Sequence, residues 1–179
     1  MKCNSLYMLC FCLNLSFILA QSSLPACPSS VDLSSEKAYR YHYKLWIPLY
    51  EIRLKKPEAI PPAELFSGAH PFTLEFTYLR PIEKSLIIHS SLNALANNLD
   101  SESLLAIQPA VDALNQVYTS VKKNDQSAFI YCPNHGTQFY LNGELKETIE
   151  GTTFPDHYFR IWFGNKPLSK SLKAHLLEI

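Results

Sequence analysis

Residues 127–149 read SAFIYCPNHGTQFYLNGELKETI, and their punctuation is that of an antiparallel sheet. Ala128 to Cys132 is a short apolar strand, Pro133-Asn134-His135-Gly136 is a turn, and Thr137 to Leu141 is a second strand. Asn142-Gly143 is the strongest signal for a two-residue hairpin, because both residues tolerate the positive φ that such a turn requires. Glu144 to Ile149 then returns antiparallel to its predecessor.

Downstream, Thr153 and Asp156 form a capping-box pattern with Pro155 in the first turn, which predicts a helix start. Phe154, Tyr158, Ile161 and Trp162 share one face of that helix, and Gly164 supplies its stop. A last amphipathic helix begins near Ser169, with Leu168, Leu172, Leu176 and Leu177 directed inward. Ser169 and Ser171 at its start read as caps rather than nucleophiles. Upstream, Leu104, Ile107, Val111, Leu114, Tyr118 and Val121 keep helical spacing to about Lys123. Pro109 either kinks that helix or marks its true start. Lys122 and Lys123 suit a helix C-terminus, and Asn124 can take the left-handed conformation that ends it. Pro81 opens an earlier helix with Ile88, Leu92, Leu95 and Leu99 as its apolar stripe.

Phe72 to Arg80 (FTLEFTYLR) alternates as a strand with Phe72, Leu74, Phe76 and Tyr78 on one face. Residues 57–71 hold four prolines and read as a loop. Ala38 to Leu54 reads as a strand whose Tyr39, Tyr41 and Tyr43 alternate with Arg40, His42 and Lys44, bent or placed at an edge by Pro48. Runs of antiparallel strands separated by pairs of helices predict an α+β domain, with helices layered on one face of a sheet.

The chain has 179 residues, enough for one domain with a proper core, and its 47% hydrophobic and 18% charged content is that of a globular protein. Sixteen Lys and Arg balance sixteen Asp and Glu, so net charge favours neither nucleic acid nor an anionic membrane as partner. The first twenty residues differ from the rest. Lys2 gives a positive start, and Leu6 to Ala20 (LYMLCFCLNLSFILA) is almost wholly apolar and ends in a small residue. This is the anatomy of a signal peptide over 1–20, cleaved near Ala20, and it implies a periplasmic or secreted protein without an integral membrane span after cleavage. The competing readings are an uncleaved anchor and a lipoprotein box at Leu24-Pro25-Ala26-Cys27. Residues 21–35, rich in Ser and Pro, predict a flexible lead-in, leaving 36–179 as the folded domain.

Cleavage would leave Cys27 and Cys132 of the five cysteines. In an oxidising compartment these can pair; the preferred alternative makes Cys132 a small buried hydrophobe in a strand. There is no Cys-x-x-Cys and no His/Cys cluster, so no metal site and no cofactor is indicated.

Lys122-Lys123-Asn124-Asp125, Gly136-Thr137, Asn142-Gly143, Gly151 and Phe159-Arg160-Ile161-Trp162-Phe163-Gly164, followed by Lys166-Pro167-Leu168-Ser169, resemble the exported branch of the bacterial chalcone isomerase-like family. The likeness is strong over 122–177 and continues through Leu49-Tyr50 and Leu74 to Arg80. Asn124 stands where the family usually has glycine, a mild departure because both accept positive φ. The resemblance implies an open-faced sheet backed by helices, with a ligand cleft between them. Plant members of that fold include isomerases that close a ring and non-catalytic proteins that bind fatty acids or polyketides. The exported branch carries no settled activity, and a structural or partner-binding envelope protein is a third alternative. The isomerases carry an arginine early in one strand and a threonine on its neighbour. Arg40 is the only offer for the first, and Glu36 to Lys56 contains no Ser or Thr. That departure argues for a binding module with no catalytic residues, and an isomerase or intramolecular lyase is the alternative.

For a small apolar ligand carrying a carboxylate or phenol, the candidate contacts are Arg80 with Tyr78, then Arg40 and Tyr50, and His89 with Asn93. Arg80 has a competing reading as a solvated arginine at a strand end. His89, Asn93 and Asn97 recur along one stripe of a helix, and their competing reading is a solvated flank.

Overall fold

The structure, a computed structural model, describes residues 33–44 and 46–179. The leader, Cys27 and residues 21–32 of the lead-in lie outside the described residues.

Six strands run as an antiparallel meander in the order of the sequence: β1 (Ser35–Tyr43), β2 (Ile47–Lys56), β3 (Phe72–Tyr78), β4 (Gln126–Cys132), β5 (Gly136–Leu141) and β6 (Glu144–Ile149). Between β3 and β4 come α1 (Lys84–Asn98) and α2 (Ser101–Val117), and after β6 come α3 (Thr153–Tyr158), α4 (Arg160–Phe163) and α5 (Lys170–Leu177). Strand alternation decides which face the helices cover. Tyr50, Ile52 and Leu54 of β2, Phe72, Leu74, Phe76 and Tyr78 of β3, and Phe129 and Tyr131 of β4 are all buried on one face. Apolar burial on this scale is the main term holding helices to sheet. The α+β architecture predicted by the sequence is therefore the one observed.

The outer face is polar over its first three strands. Arg40 meets Glu51 at 3.5 Å, Arg53 meets Glu36 at 3.4 Å, and Lys55 meets Glu75 at 2.8 Å. These half-exposed pairs are each worth at most about 1 kcal/mol, so they set strand neighbours more than they stabilise. Beside them, Ala128, Ile130, Cys132 and Tyr140 form a small buried apolar cluster. Cys132 is disulfide-bonded, its partner lying outside the described residues. The preference for a free buried thiol is thus corrected: the residue is buried, and it is also oxidised.

Five local expectations change. The stretch 38–54 is a hairpin rather than one bent strand, because Lys44 at φ 50° turns the chain and a register shift follows at Tyr41/His42. α1 packs through Ile87, Ala94 and Leu95, leaving Leu92 exposed. α2 stops at Tyr118, since Val121 leaves the helix to bridge Ile82, and Pro109 lies inside it. Thr153 makes no capping box; the cap position is Thr152, whose side chain bonds no helix N–H. Leu168 is exposed, while Ser169 caps α5 by accepting from Leu172 N–H at 3.2 Å.

The two turns of the β4–β6 meander depend on backbone that few residues accept. Asn142 and Gly143 both have positive φ (51° and 81°), as the mirror-image hairpin turn demands. At Gly136, φ is +76° and an added Cβ would run into the Ile149 carbonyl of β6. Gly136→Ala should cost about 2 kcal/mol, roughly twice Gly151→Ala, which has a similar φ of +85° but open space around it. Urea midpoints of the two variants measure the difference; equal losses would show that the carbonyl yields freely.

Candidate functional site

Between sheet and helices the space is filled by aromatic rings. Phe159, at the α3–α4 junction, lies 4.8 Å from Phe72, 5.5 Å from Phe129 and 5.8 Å from both Phe66 and Tyr158, by ring centroids. Trp162 reaches Phe76 at 5.2 Å. Several hydroxyls are sealed among these rings. Tyr78 shares a 3.0 Å hydrogen bond with Ser127, and the Trp162 indole donates to the Tyr50 hydroxyl at 3.3 Å. Tyr158 has Tyr118 and Ser91 as hydrogen-bond partners. Burial disfavours the phenolate and pushes Tyr78 and Tyr158 up to about 12, with Tyr50 and Tyr118 raised as well for the same reason. At neutral pH these groups are neutral donors and acceptors that satisfy one another.

The structure brings four of the six sequence-selected residues together, as two separate pairs, and leaves both arginines apart from them. Tyr50 and Tyr78 face each other across β2 and β3, ring centroids 6.5 Å apart. Arg80, two residues beyond Tyr78, is exposed past the strand end. Arg40 points to the outer face and is engaged by Glu51, because its register places it opposite that residue and away from the helices. His89 and Asn93 bond each other at 2.9 Å on the exposed flank of α1.

A different constellation surrounds a groove of about 510 Å³ at the sheet end where β2 leaves and β3 begins. Its floor is Phe66, Phe163, Leu177 and the prolines Pro61 and Pro62, with Arg160, Lys173 and the Asp156 carboxylate on its wall. Phe66 stacks on Phe163 at 4.5 Å, which fixes the loop against α4. Arg160 donates through Nε to the Asp156 carbonyl at 2.9 Å and through one terminal nitrogen to the Asp156 carboxylate at 3.2 Å. A guanidinium has five N–H donors in a rigid fork, so this engagement orients it and leaves others to offer. Lys173 spends one of its three donors on the Gly164 carbonyl at 3.0 Å. Asn98 staples the rim, donating to the Lys166 carbonyl and accepting from the Lys166 N–H, both at 2.8 Å. The arrangement suits an anionic head with an apolar body. Volumes of this order are ordinary for small-molecule sites.

Sequence reasoning quoted Arg160 within the FRIWFG stretch but gave it no role. The available signal was a cation inside an apolar helix, four residues after Asp156. The loop that completes the site offers only prolines and a lone Phe66.

Among the described residues no group of His, Cys, Asp and Glu could hold a metal ion, and no helix is long and apolar enough to cross a membrane. No curated protein matches the sequence. A solved fatty-acid binding protein from Arabidopsis thaliana superposes with a TM-score of 0.60, covering 86% of this chain and 89% of that one. At 11% identity this is a likeness of fold. A family model described as chalcone isomerase-like matches residues 37–178, nearly the whole sheet-and-helix domain. The chain belongs to the chalcone isomerase-like family.

Proposed function

We propose that the protein is an exported, non-catalytic binder of an apolar carboxylate or phenol of the fatty-acid or polyketide type. In this reading the acid head lies between Arg160 and Lys173, and the body lies along Phe66, Phe163 and Leu177. The observation that carries it is the pairing of two cations with an aromatic floor in one open groove. The fold shared with a fatty-acid binding protein supports it. So does the dense ring packing around Tyr50 and Tyr78, which leaves those phenols as structural partners rather than as acids facing a substrate. Export to the periplasm or medium rests on the leader pattern and accords with an oxidised Cys132, since disulfides persist in oxidising compartments.

Binding of a long-chain fatty acid, followed by calorimetry, should weaken at least about ten-fold in Arg160→Ala, the order expected for losing one charge-assisted bond. The matching long-chain alcohol should bind wild type and variant alike. Equal affinities of both proteins for the acid, with thermal midpoints unchanged, would remove this groove as the site. Protein recovered outside the cytoplasm with its N-terminus at Gln21 is the expected mass-spectrometric result; intact Met1 protein retained inside cells would overturn export.

A further inference from the structure

Overall neutrality conceals an uneven distribution of charge. The β1–β2 turn projects from the sheet end opposite the groove, and it carries the most exposed large apolar side chain described, Trp46 at 84%, with Tyr43 at 47%. Lys44 sits at the same tip, its Nζ 5.4 Å from the centre of the Tyr43 ring. The backbone gathers more cations at this end. Leu79 N–H bonds the Leu49 carbonyl at 2.9 Å, placing Arg80 beside the base of the hairpin. Val121 bridges Ile82, placing Lys122 and Lys123 next in line. Arg80, Lys122 and Lys123 are exposed, and among the described residues neither they nor Lys44 enter an ion pair.

Of the acids in the same region only Glu144 is paired with a cation, while Glu83 and Asp125 keep their charge and are held by local hydrogen bonds. Glu83 accepts from Ser120 at 2.8 Å, Asp125 from the Lys122 N–H at 2.7 Å, and Glu144 pairs with Lys146 at 2.6 Å. What remains outward is an indole and a phenol beside Lys44, with Arg80, Lys122 and Lys123 at the same end of the sheet and outside any ion pair among the described residues.

From this we infer that the β1–β2 tip docks on an anionic lipid surface, with Trp46 and Tyr43 entering the interfacial layer and Lys44, Arg80, Lys122 and Lys123 facing the headgroups. Indole and phenol rings settle at that depth because each has an apolar body and a polar handle. Clustered Lys and Arg add attraction to anionic headgroups that salt screens. A protrusion of two rings, unlike a broad flat face, needs no complementary pocket to bury itself in a soft interface. The inference is independent of the groove and of its ligand.

The chain's two tryptophans make the test direct, since Trp162 is only 7% exposed. Full-length protein is mixed with phosphatidylserine-containing vesicles whose acyl chains carry bromine, a short-range quencher. The expected result is a blue shift and strong quenching of Trp46, reduced about ten-fold in apparent affinity by Lys44→Glu with Arg80→Glu and weakened by salt. Trp46→Phe, which leaves Trp162 alone, should be unquenched. An apolar leader bound to the same vesicles would not by itself move the Trp46 signal with those charge reversals. Unquenched Trp46 on anionic vesicles, or quenching indifferent to both reversals, overturns the inference. So does Trp46 protection that arises only with a protein partner.

Discussion

Replacing Phe159 with alanine is expected to destabilise the protein by about 3–5 kcal/mol, near the top of the range for emptying a buried aromatic position. The residue is fully buried, and its ring is the shared neighbour of the loop ring Phe66, the sheet rings Phe72 and Phe129, and the helix rings Phe154, Tyr158 and Trp162. Aromatic pairs with this geometry add to the area term, so the loss reaches three layers at once. The backbone at Phe159 is ordinary helical, φ −73° and ψ −4°, so alanine introduces no strain of its own. The change should appear as a lower urea midpoint at an unaltered slope. Phe159→Leu, which keeps most of the volume, should lose less than half as much, and it serves as the readable variant should the alanine protein not fold. Leu105→Ala, at an exposed position of α2, should stay within about 0.5 kcal/mol. A loss below about 1 kcal/mol in Phe159→Ala would show that the layers are held together elsewhere.

Alkaline pH is expected to unfold the domain steeply, through the sealed phenols. In the unfolded chain a tyrosine loses its proton near pH 10, whereas Tyr78 and Tyr158 in the folded protein hold theirs to about 12. Their folded-state values are raised, so the stability they contribute is complete below about pH 10. It drains as pH climbs from there toward 12, because the unfolded state gains from proton release. At about 1.4 kcal/mol per unit, two phenols raised by two units amount to roughly 5 kcal/mol, with Tyr50 and Tyr118 shifted in the same direction. Phenolate absorbance and circular dichroism should therefore change together in one cooperative step. Ionisation of all ten tyrosines while the far-ultraviolet signal stays native would contradict the sealed network. Tyr78→Phe should move the alkaline midpoint upward, though it leaves Ser127 without its partner.

The parts of this fold legible in the sequence are those whose chemistry is local. Asn142-Gly143 dictated a turn, and it is one; Phe72, Leu74, Phe76 and Tyr78 alternated, and all four are buried. The β1–β2 hairpin was not legible because YRYHYKLWIPLYEIRL alternates across its own turn without a glycine or asparagine to mark it. There the reversal falls on Lys44, which enters the left-handed region because pairing on both sides compensates for it. Leu92 and Leu95 both looked inward by spacing; Leu95 is buried, while Leu92 is exposed and Ala94 is buried in addition. Val121 fits the α2 stripe, yet a bridge to Ile82 claims it. The candidate groove was the least visible of all. It needs a proline-rich loop, the α3–α4 junction and α5 to converge, and no single segment records that meeting.

The meander carries one further consequence, at its centre. Neighbouring strands elsewhere are joined by turns or a single loop, but β3 and β4 are separated by both long helices, so no short connection tells Leu74 to sit opposite Phe129. Their alignment is written in side chains and in the backbone bonds at the strand ends, where Val121 bridges Ile82. A slip by one residue would carry Thr73, Glu75 and Thr77 into the ring layer and expel Phe72, Leu74 and Phe76 to water. Slips by one residue are thus suppressed by solvation, because each would carry the Glu75 carboxylate into the ring layer.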